Sequence, residues 1–328
     1  MIRVAWRDAR VMVTGGMGFI GSHLVERLVR EGAQVRVADD LSRGSIANLT
    51  DVADKIEFSR IDLTDAKNCM TACKDIDFVF HLAASVGGIH YIKKENVGGS
   101  TPSLLMNTNM LEAARRCSVR KFLFASSACV YREKSLQLNR FVEDDAYPAN
   151  PETTYGWTKL MGEIQCRAYF LDYGLKCCSA RIFNAFGENE SLDPKSAHVI
   201  PSLIRKAHNY PREPFTIFGD GKQERAFLYV KDCVEGLLRM IEKIEDGTPV
   251  NLGSKEVVSI SYVAKQIVAL SGKDIRIQYD PSGPQGTHRY CADTTKMEQV
   301  LGWSPKTTLV KGLRNTFECA RRRIVVEA

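Results

Sequence analysis

The feature that most restricts this chain is the apolar triplet Val11-Met12-Val13, followed by Thr14-Gly15-Gly16-Met17-Gly18-Phe19-Ile20-Gly21 and then by apolar residues at helical spacing, Ile20, Leu24, Val25, Leu28 and Val29. A short strand that turns through glycines straight into an amphipathic helix has few folds open to it. Each glycine has a separate job. Gly15 permits the tight turn, Gly18 lets backbone approach a diphosphate at the helix N-terminus, and Gly21 lets helix and strand pack closely. Gly32 stops the helix, and the apolar run 34–38 completes a strand-helix-strand unit ending at Asp39. Asp39 stands 24 residues beyond Gly15, near the ~20-residue offset at which a carboxylate takes the adenosine ribose hydroxyls. A carboxylate there repels a 2′-phosphate, so NAD is favoured over NADP, with Arg36 and Arg43 as the nearest opposing charges. Asp62-Leu63 closes a third strand, where Asp62 serves either an adenine amino group or ordinary loop capping.

Further apolar runs at 77–83, 121–125 and 176–182 alternate with helix-like stretches at 104–117 and 153–173. This alternation predicts an α/β fold, a doubly wound parallel sheet with helices on both faces. After Phe186, prolines at 194, 201, 211, 214, 281 and 284 cut the pattern into short pieces. The expected organisation is a first domain over 1–185 and a smaller, less regular α/β lobe over 186–328, with segments crossing between them. The 328 residues are 26% charged, and no run of eighteen apolar residues occurs, which excludes a disordered chain and a membrane-spanning helix. Arg3, Arg7, Asp8 and Arg10 interrupt the apolar core that a secretory signal needs, so a cytoplasmic location is expected.

Forty-five basic residues against thirty-nine acidic ones leave a net charge of +6, with Arg321-Arg322-Arg323 as the densest run. That is no stripe for nucleic acid, though a few arginines suffice for a phosphate-bearing small ligand. The ten cysteines are scattered, mostly inside apolar runs, and adjacent Cys177-Cys178 are unable to point at one metal from a strand. They read as buried reduced thiols, with no metal site.

Tyr155-Gly156-Trp157-Thr158-Lys159 sets a phenol and an ammonium four residues apart on one helix face. The ammonium is expected to lower the tyrosine pKa from ~10 toward a value suited to taking a hydroxyl proton. Ser126-Ser127-Ala128-Cys129 follows the run 121–125, at the carboxyl end of a parallel strand, where ligands bind. These motifs occur in order with His81-Leu82-Ala83-Ala84, Arg181-Ile182-Phe183-Asn184, Gly219-Asp220-Gly221-Lys222-Gln223-Glu224-Arg225 and Leu301-Gly302-Trp303. Together they cover nearly the whole chain, which resembles the extended short-chain dehydrogenase/reductases that act on nucleotide sugars.

The resemblance implies a Rossmann domain binding NAD through Gly15, Gly18, Phe19, Ile20, Gly21, Asp39, Asp62, Leu63, Leu82 and Ala83. It implies a carboxy-terminal lobe for a nucleotide-diphosphate sugar, and a homodimer formed through helices at about 104–117 and 154–172. Tyr155 is then the acid/base at the sugar 4-hydroxyl, Lys159 holds the nicotinamide ribose, and Ser127 bonds the same sugar oxygen. Asn184 joins the substrate residues, and Arg205, Arg225 and Arg289 face the diphosphate.

Dehydratases and decarboxylases of this family carry acidic residues just after the serine or threonine of that strand. Here those positions are Ala128 and Cys129, so elimination lacks its acid. The Cys129-Val130-Tyr131 stretch and the Val86-Gly87-Gly88-Ile89 loop are similar to the GDP-mannose 3,5-epimerases and the GDP-fucose synthases, which makes Gly87 and Gly88 substrate candidates. In the synthases a histidine in a segment like Ser196-Ala197-His198-Val199-Ile200-Pro201 partners the cysteine; the epimerases have a lysine at about that point. Oxidising C4 acidifies the hydrogens on C3 and C5, and cysteine at ~8.5 with histidine at ~6.5 suits their exchange. Cys129 and His198 are the candidates, set against Cys129 as a small buried hydrophobe and His198 as a helix cap. Arg132 stands where both relatives have proline, and Ser103 where the family commonly has asparagine.

Asp39 argues against the NADPH-consuming synthases. The expected activity is NAD-dependent epimerisation through a transient 4-keto sugar, of the GDP-mannose 3,5-epimerase kind, with a 4-epimerase and a 4-reductase as rivals. A nucleotide-sensing protein without chemistry is opposed by the presence of Ser127, Tyr155 and Lys159 together. GDP and UDP both stay open as the nucleotide.

Overall fold

In the computed structural model, residues 6–85, 96–132, 140–283 and 289–327 are described. The first half runs β1 (Arg10–Thr14), α1 (Phe19–Arg30), β2 (Gln34–Asp39), β3 (Ile56–Arg60), α2 (Ala66–Cys73), β4 (Phe78–His81), α3 (Asn96–Arg116), β5 (Lys121–Ser127), α4 (Thr154–Tyr173) and β6 (Lys176–Ile182). There follow β7 (Ala185–Phe186), α5 (Val199–Asn209), β8 (Thr216–Phe218), β9 (Glu224–Ala226), β10 (Leu228–Tyr229), α6 (Val230–Lys243) and β11 (Asp246–Leu252). The chain ends with β12 (Val257–Ser259), α7 (Ile260–Ser271), β13 (Gln278–Asp280), β14 (Arg289–Tyr290), α8 (Thr295–Leu301) and α9 (Leu309–Glu327).

Seven strands form one sheet in the order β11-β6-β5-β4-β1-β2-β3, parallel throughout. Val11, Met12 and Val13 are all fully buried because both faces of the sheet are covered, which is why β1 reads as an unbroken apolar run. Val11 and Val13 pack with Leu24 and Leu28 of α1 and Leu237 of α6. Met12 faces the other way, into Val79, Phe122 and Leu111 beneath α2 and α3. The order of connection reverses between β1 and β4, and the carboxyl ends of β1, β4 and β5 carry Gly15, Leu82 and Ser127 to that crevice.

A second core of Phe186, Ile200, Phe215, Val263 and Leu313 forms the smaller lobe. Phe19 and Ile20, at the start of α1, pack against it, so the glycine turn touches both bodies. One element belongs to the crossing segments that the sequence reading allows for, and one departs from its expected bounds. β11 lies in the stretch assigned to the second lobe, yet it is the edge strand of the first sheet, paired with β6. Its Gly247 and Pro249 read as turn residues, and an edge strand is where a sheet tolerates proline. Helix α3 begins at Asn96, a full two turns before the expected start, across Gly98, Gly99 and Pro102, residues of low helix propensity.

Candidate active site

The turn after β1 is shaped to receive an anion. Gly15 has φ +67°, and a Cβ there would stand 2.9 Å from the Ala83 nitrogen; a Cβ on Gly21 would stand 2.1 Å from the Gly15 carbonyl oxygen. Gly18 caps α1 without a side-chain hydrogen bond, and no acidic residue occupies the first turn. The first amides of α1 are thus left for a diphosphate. Asp39, mostly buried, accepts from Met17 N through Oδ2 (3.0 Å) and from Leu41 N through Oδ1 (2.8 Å). Burial pushes its carboxyl above the usual range while those two bonds oppose the shift. A bare glycine cradle and a fixed carboxylate at the end of β2 fit NAD, whose diphosphate the α1 amides would hold and whose ribose hydroxyls Asp39 would accept from. Asp62 is exposed and its Oδ1 accepts from Thr64 N (2.8 Å), which caps the turn before α2; the Leu63 side chain is buried in the core.

At the end of β5, Ser127 turns the chain into a short 3-10 segment, Ala128–Val130, and its Oγ accepts from Cys129 N (3.1 Å). The same hydroxyl lies close enough to the Tyr155 phenol and the Cys129 thiol to favour the ionised form of each, against burial. Helix α4 starts directly against this turn: Thr153 Oγ1 accepts from Gly156 N (3.2 Å), and a Cβ on Gly156 would stand 2.2 Å from the Cys129 carbonyl oxygen. That close approach brings Tyr155 to Ser127. One turn further on, buried Lys159 donates to the Ala125 carbonyl (2.7 Å) and lies 5.6 Å from the centroid of the Tyr155 ring.

Burial draws the Lys159 ammonium down to about 8, against the nearby Cys129 and Glu163 charges, which raise it. Burial, and then the charge of Cys129, pushes the Tyr155 phenol up, with the Ser127 bond opposing. This reverses the expected lowering of the tyrosine. In the protein by itself, the desolvation of a phenolate outweighs the ammonium, so the pair's adjustment is carried by the lysine. Burial also pushes the Cys129 thiol up, with Ser127 and Lys159 opposing, so a protonated thiol rests beside a protonated phenol.

In the smaller lobe, β14 pairs with β9 in the register Arg289↔Glu224 and Tyr290↔Arg225. Side chains alternate across a strand, so Arg225 shares a face with Tyr290, and Arg289 shares the other with Glu224, whose Oε2 lies 3.5 Å from Arg289 Nε. Asn184, at φ +42°, donates from Nδ2 to the carbonyls of Ala226 (3.1 Å) and Tyr290 (3.4 Å), holding both strands in place. Arg205 is paired with Glu213 (2.6 Å). His198 stands at the N-cap of α5 but its side chain does not cap the helix; Nδ1 meets Glu190 Oε1 at 2.6 Å. Partial burial works against its charge and so does Arg43, but the Glu190 hydrogen bond and charge prevail and raise its pKa. Among the described residues its polar contacts do not reach Cys129. The site therefore gathers Ser127, Cys129, Tyr155 and Lys159 and leaves His198 in a separate pair. Gly87 and Gly88 lie outside the described residues. Among the described residues no group of three or more histidine, cysteine or carboxylate side chains is placed to hold a metal, and all ten cysteines are free thiols.

Residues 11–253 match the family described as NAD dependent epimerase/dehydratase. The chain belongs to the NAD-dependent epimerase/dehydratase family. It is 36% identical over 320 residues to GDP-mannose 3,5-epimerase 1 of Oryza sativa subsp. indica, across 97% of this chain and 83% of that one. It superimposes on UDP-glucose 4-epimerase of Thermotoga maritima, solved with UDP-glucose, with a TM-score of 0.87 and 28% identity over 96% of this chain and 99% of that one. The Thermus thermophilus UDP-glucose 4-epimerase, solved in complex with NAD, matches with a TM-score of 0.83 and 29% identity over 95% and 99%.

The epimerase also holds supports that local sequence pattern did not indicate. Thr14 Oγ1 accepts from Leu82 N and Ala83 N (3.1 Å each), so its own proton goes to His81 Nδ1 (2.8 Å). The His81 Nε2 proton is then donated to Asn107 Oδ1 (3.1 Å), and Asn107 Nδ2 donates to the Thr158 carbonyl (3.5 Å). Burial drives the His81 imidazole down to about 3, and the Lys159 charge acts the same way, so His81 is a neutral link and not a proton carrier at ordinary pH. Ser103, buried, donates to the Gly99 carbonyl (2.8 Å), and the serine stands where the family commonly has asparagine. Behind Ser126, whose hydroxyl donates to Glu163, fully buried Arg181 grips Glu163 with two bonds (2.9 and 2.7 Å) and donates to Tyr131 Oη (2.9 Å). Tyr131 Oη in turn donates to Asn251 Oδ1 (2.6 Å), so β5, β6, α4 and β11 meet at one polar knot.

Proposed function

We propose that this epimerase inverts C3 and C5 of GDP-mannose through a transient 4-keto sugar. The carrying observation is the placement of Cys129, whose backbone N donates to Ser127 Oγ and whose carbonyl lies against Gly156 beside the Tyr155–Lys159 pair, which puts a second proton-transfer group within the cluster that handles the 4-hydroxyl. The 36% identity to a GDP-mannose 3,5-epimerase supports the choice of sugar and nucleotide.

When bound, NAD supplies reversible hydride acceptance at C4. Tyr155 takes the proton of the 4-hydroxyl as its own phenol proton passes to Lys159 beside it, whose amine is able to accept one near pH 8. The resulting ketone makes the C3 and C5 hydrogens acidic. Cys129, kept protonated by burial, delivers a proton to the enediolate, and the thiolate so formed is stabilised by Lys159. Arg225 and Arg289 are the arginines for the diphosphate, Arg289 reaching it only by turning away from Glu224 on its own face of the ladder, while Arg205 and Asn184 brace the lobe. His198 is the candidate base on the opposite sugar face, taking the C3 or C5 proton to form the enediolate that Cys129 then protonates; reaching the sugar requires it to leave Glu190, which holds it toward the protonated form. The protein works in the cytoplasm as a homodimer. The exposed apolar stripe Trp157, Met161, Ile164 and Leu171 on α4, beside Val97, Leu104 and Leu105 on α3, supports that assembly.

Cys129→Ser tests the assignment. With GDP-mannose in deuterated water, solvent exchange at C3 and C5 falls at least about 100-fold while oxidation at C4 persists; undiminished exchange overturns it. A 4-epimerase is the second reading, because Ser127, Tyr155 and Lys159 suffice for it and solved 4-epimerases share the fold. Inversion at C4 without exchange at C3 or C5 would establish that reading.

A further inference from the structure

We infer that Tyr290, in the smaller lobe, is a positioning residue for Cys129, acting through the Ala128 carbonyl; the inference rests on the proton-transfer role proposed for that thiol. Tyr290 Oη donates to the Ala128 oxygen at 2.5 Å, across 162 residues of chain. The ring that carries this hydroxyl is fixed. It packs against Phe141 and Phe183 with centroids at 5.0 and 5.9 Å, and the Tyr290 carbonyl accepts from Asn184. The strand beyond it is pinned as well, since Phe141 N donates to the Cys291 carbonyl (2.9 Å) and Asp293 N to the Phe141 carbonyl (2.7 Å).

The turn that it touches is seated by the buried side chains of Ala128 and Val130, and Tyr290 adds a bond to its backbone. Within Ala128–Val130, the Ala128 carbonyl also accepts from Tyr131 N (3.0 Å), and Cys129 N donates to Ser127 Oγ. The peptides on the two sides of Cys129 are thus held by different bodies. The one before it is held by Tyr290 of the smaller lobe, and the one after it lies against Gly156 of α4. Together they set the Cα–Cβ direction of Cys129, and so where the thiol points relative to Tyr155. The register Tyr290↔Arg225 puts this latch on the same face of the ladder as an arginine assigned to the diphosphate. Seating the nucleotide and aiming the thiol then draw on the same two strands.

Tyr290→Phe keeps the ring and deletes only the hydroxyl. Two readouts on the NAD-loaded protein separate a latch from mere packing. The first is alkylation of Cys129 by iodoacetamide, followed by peptide mass spectrometry. The variant is expected to label about fivefold or more faster, with its melting point within about 3 °C of wild type. The second is turnover of GDP-mannose in deuterated water. Exchange at C3 and C5 falls about tenfold or more, while C4 oxidation and KM stay within about threefold. Unchanged labelling overturns the inference, and so does an equal fall in both chemical steps. If the wild-type enzyme shows no exchange at C3 or C5, the proposed function fails, and the labelling rate by itself decides for or against the latch.

Discussion

Gly156→Ala probes the contact on which the catalytic cluster is built. A Cβ at this position would lie 2.2 Å from the Cys129 carbonyl oxygen and 2.8 Å from Pro151 Cβ, whereas ordinary van der Waals contact begins at 3.4 Å. Helix α4 and the Cys129 turn must therefore move apart by roughly 1 Å, a misplacement that costs on the order of 100-fold in rate when it falls on reacting groups. Stability changes less. Alanine gains about 1 kcal/mol of helix propensity over glycine, and the overpacking costs about 1–3 kcal/mol, so the net loss is about 2 kcal/mol or less. The assay is kcat for the epimerisation beside urea unfolding of the same preparation. A rate about 100-fold down in a protein that still unfolds cooperatively near the wild-type midpoint is the expected result. Turnover within about threefold of wild type would refute the claim that this contact aligns Tyr155 and Cys129.

Three further outcomes follow from the same geometry. Lys159 titrates at about 8 in the folded protein against 10.5 ordinarily, so the unfolded chain binds more protons between those values. Wild-type stability relative to Lys159→Met should therefore rise by up to about 3 kcal/mol as pH is raised through that window, and a flat difference in urea unfolding would contradict it. Glu163→Gln leaves the Arg181 guanidinium buried without its counter-charge and should cost about 3 kcal/mol in unfolding; a loss below about 1 kcal/mol would show that the knot is not a tight ion pair. Asp39→Asn should weaken NAD binding about 10- to 100-fold in calorimetry and narrow the preference over NADP, and unchanged affinities would remove Asp39 from the ribose.

What could be read from the sequence was what local pattern encodes. The glycine turn was legible because only glycine meets the backbone demands at Gly15 and Gly21, and α4 because Tyr155 and Lys159 fall on one face of an apolar helix. β11 was not, since Gly247 and Pro249 interrupt an edge strand whose partner lies some seventy residues earlier. The sign of the Tyr155 shift was misjudged because spacing reports the neighbouring ammonium but not the burial that outweighs it. His198 pairs with a glutamate eight residues before it, in a stretch without periodicity, and the Thr14–His81–Asn107 relay and the Tyr290 latch join residues far apart in the chain. Contacts of that kind are set by tertiary packing, within a lobe for the relay and the His198 pair and between lobes for the latch, and local periodicity does not encode them.

The most direct test is incubation of the wild-type enzyme with GDP-mannose, beside a panel of UDP-sugars, in deuterated water, with products resolved by NMR and mass spectrometry. The expected product is epimerised GDP-mannose carrying deuterium at C3 and C5, with no net consumption of NAD. Inversion confined to C4 with both hydrogens retained, or turnover of a UDP-sugar while GDP-mannose is left untouched, would contradict it.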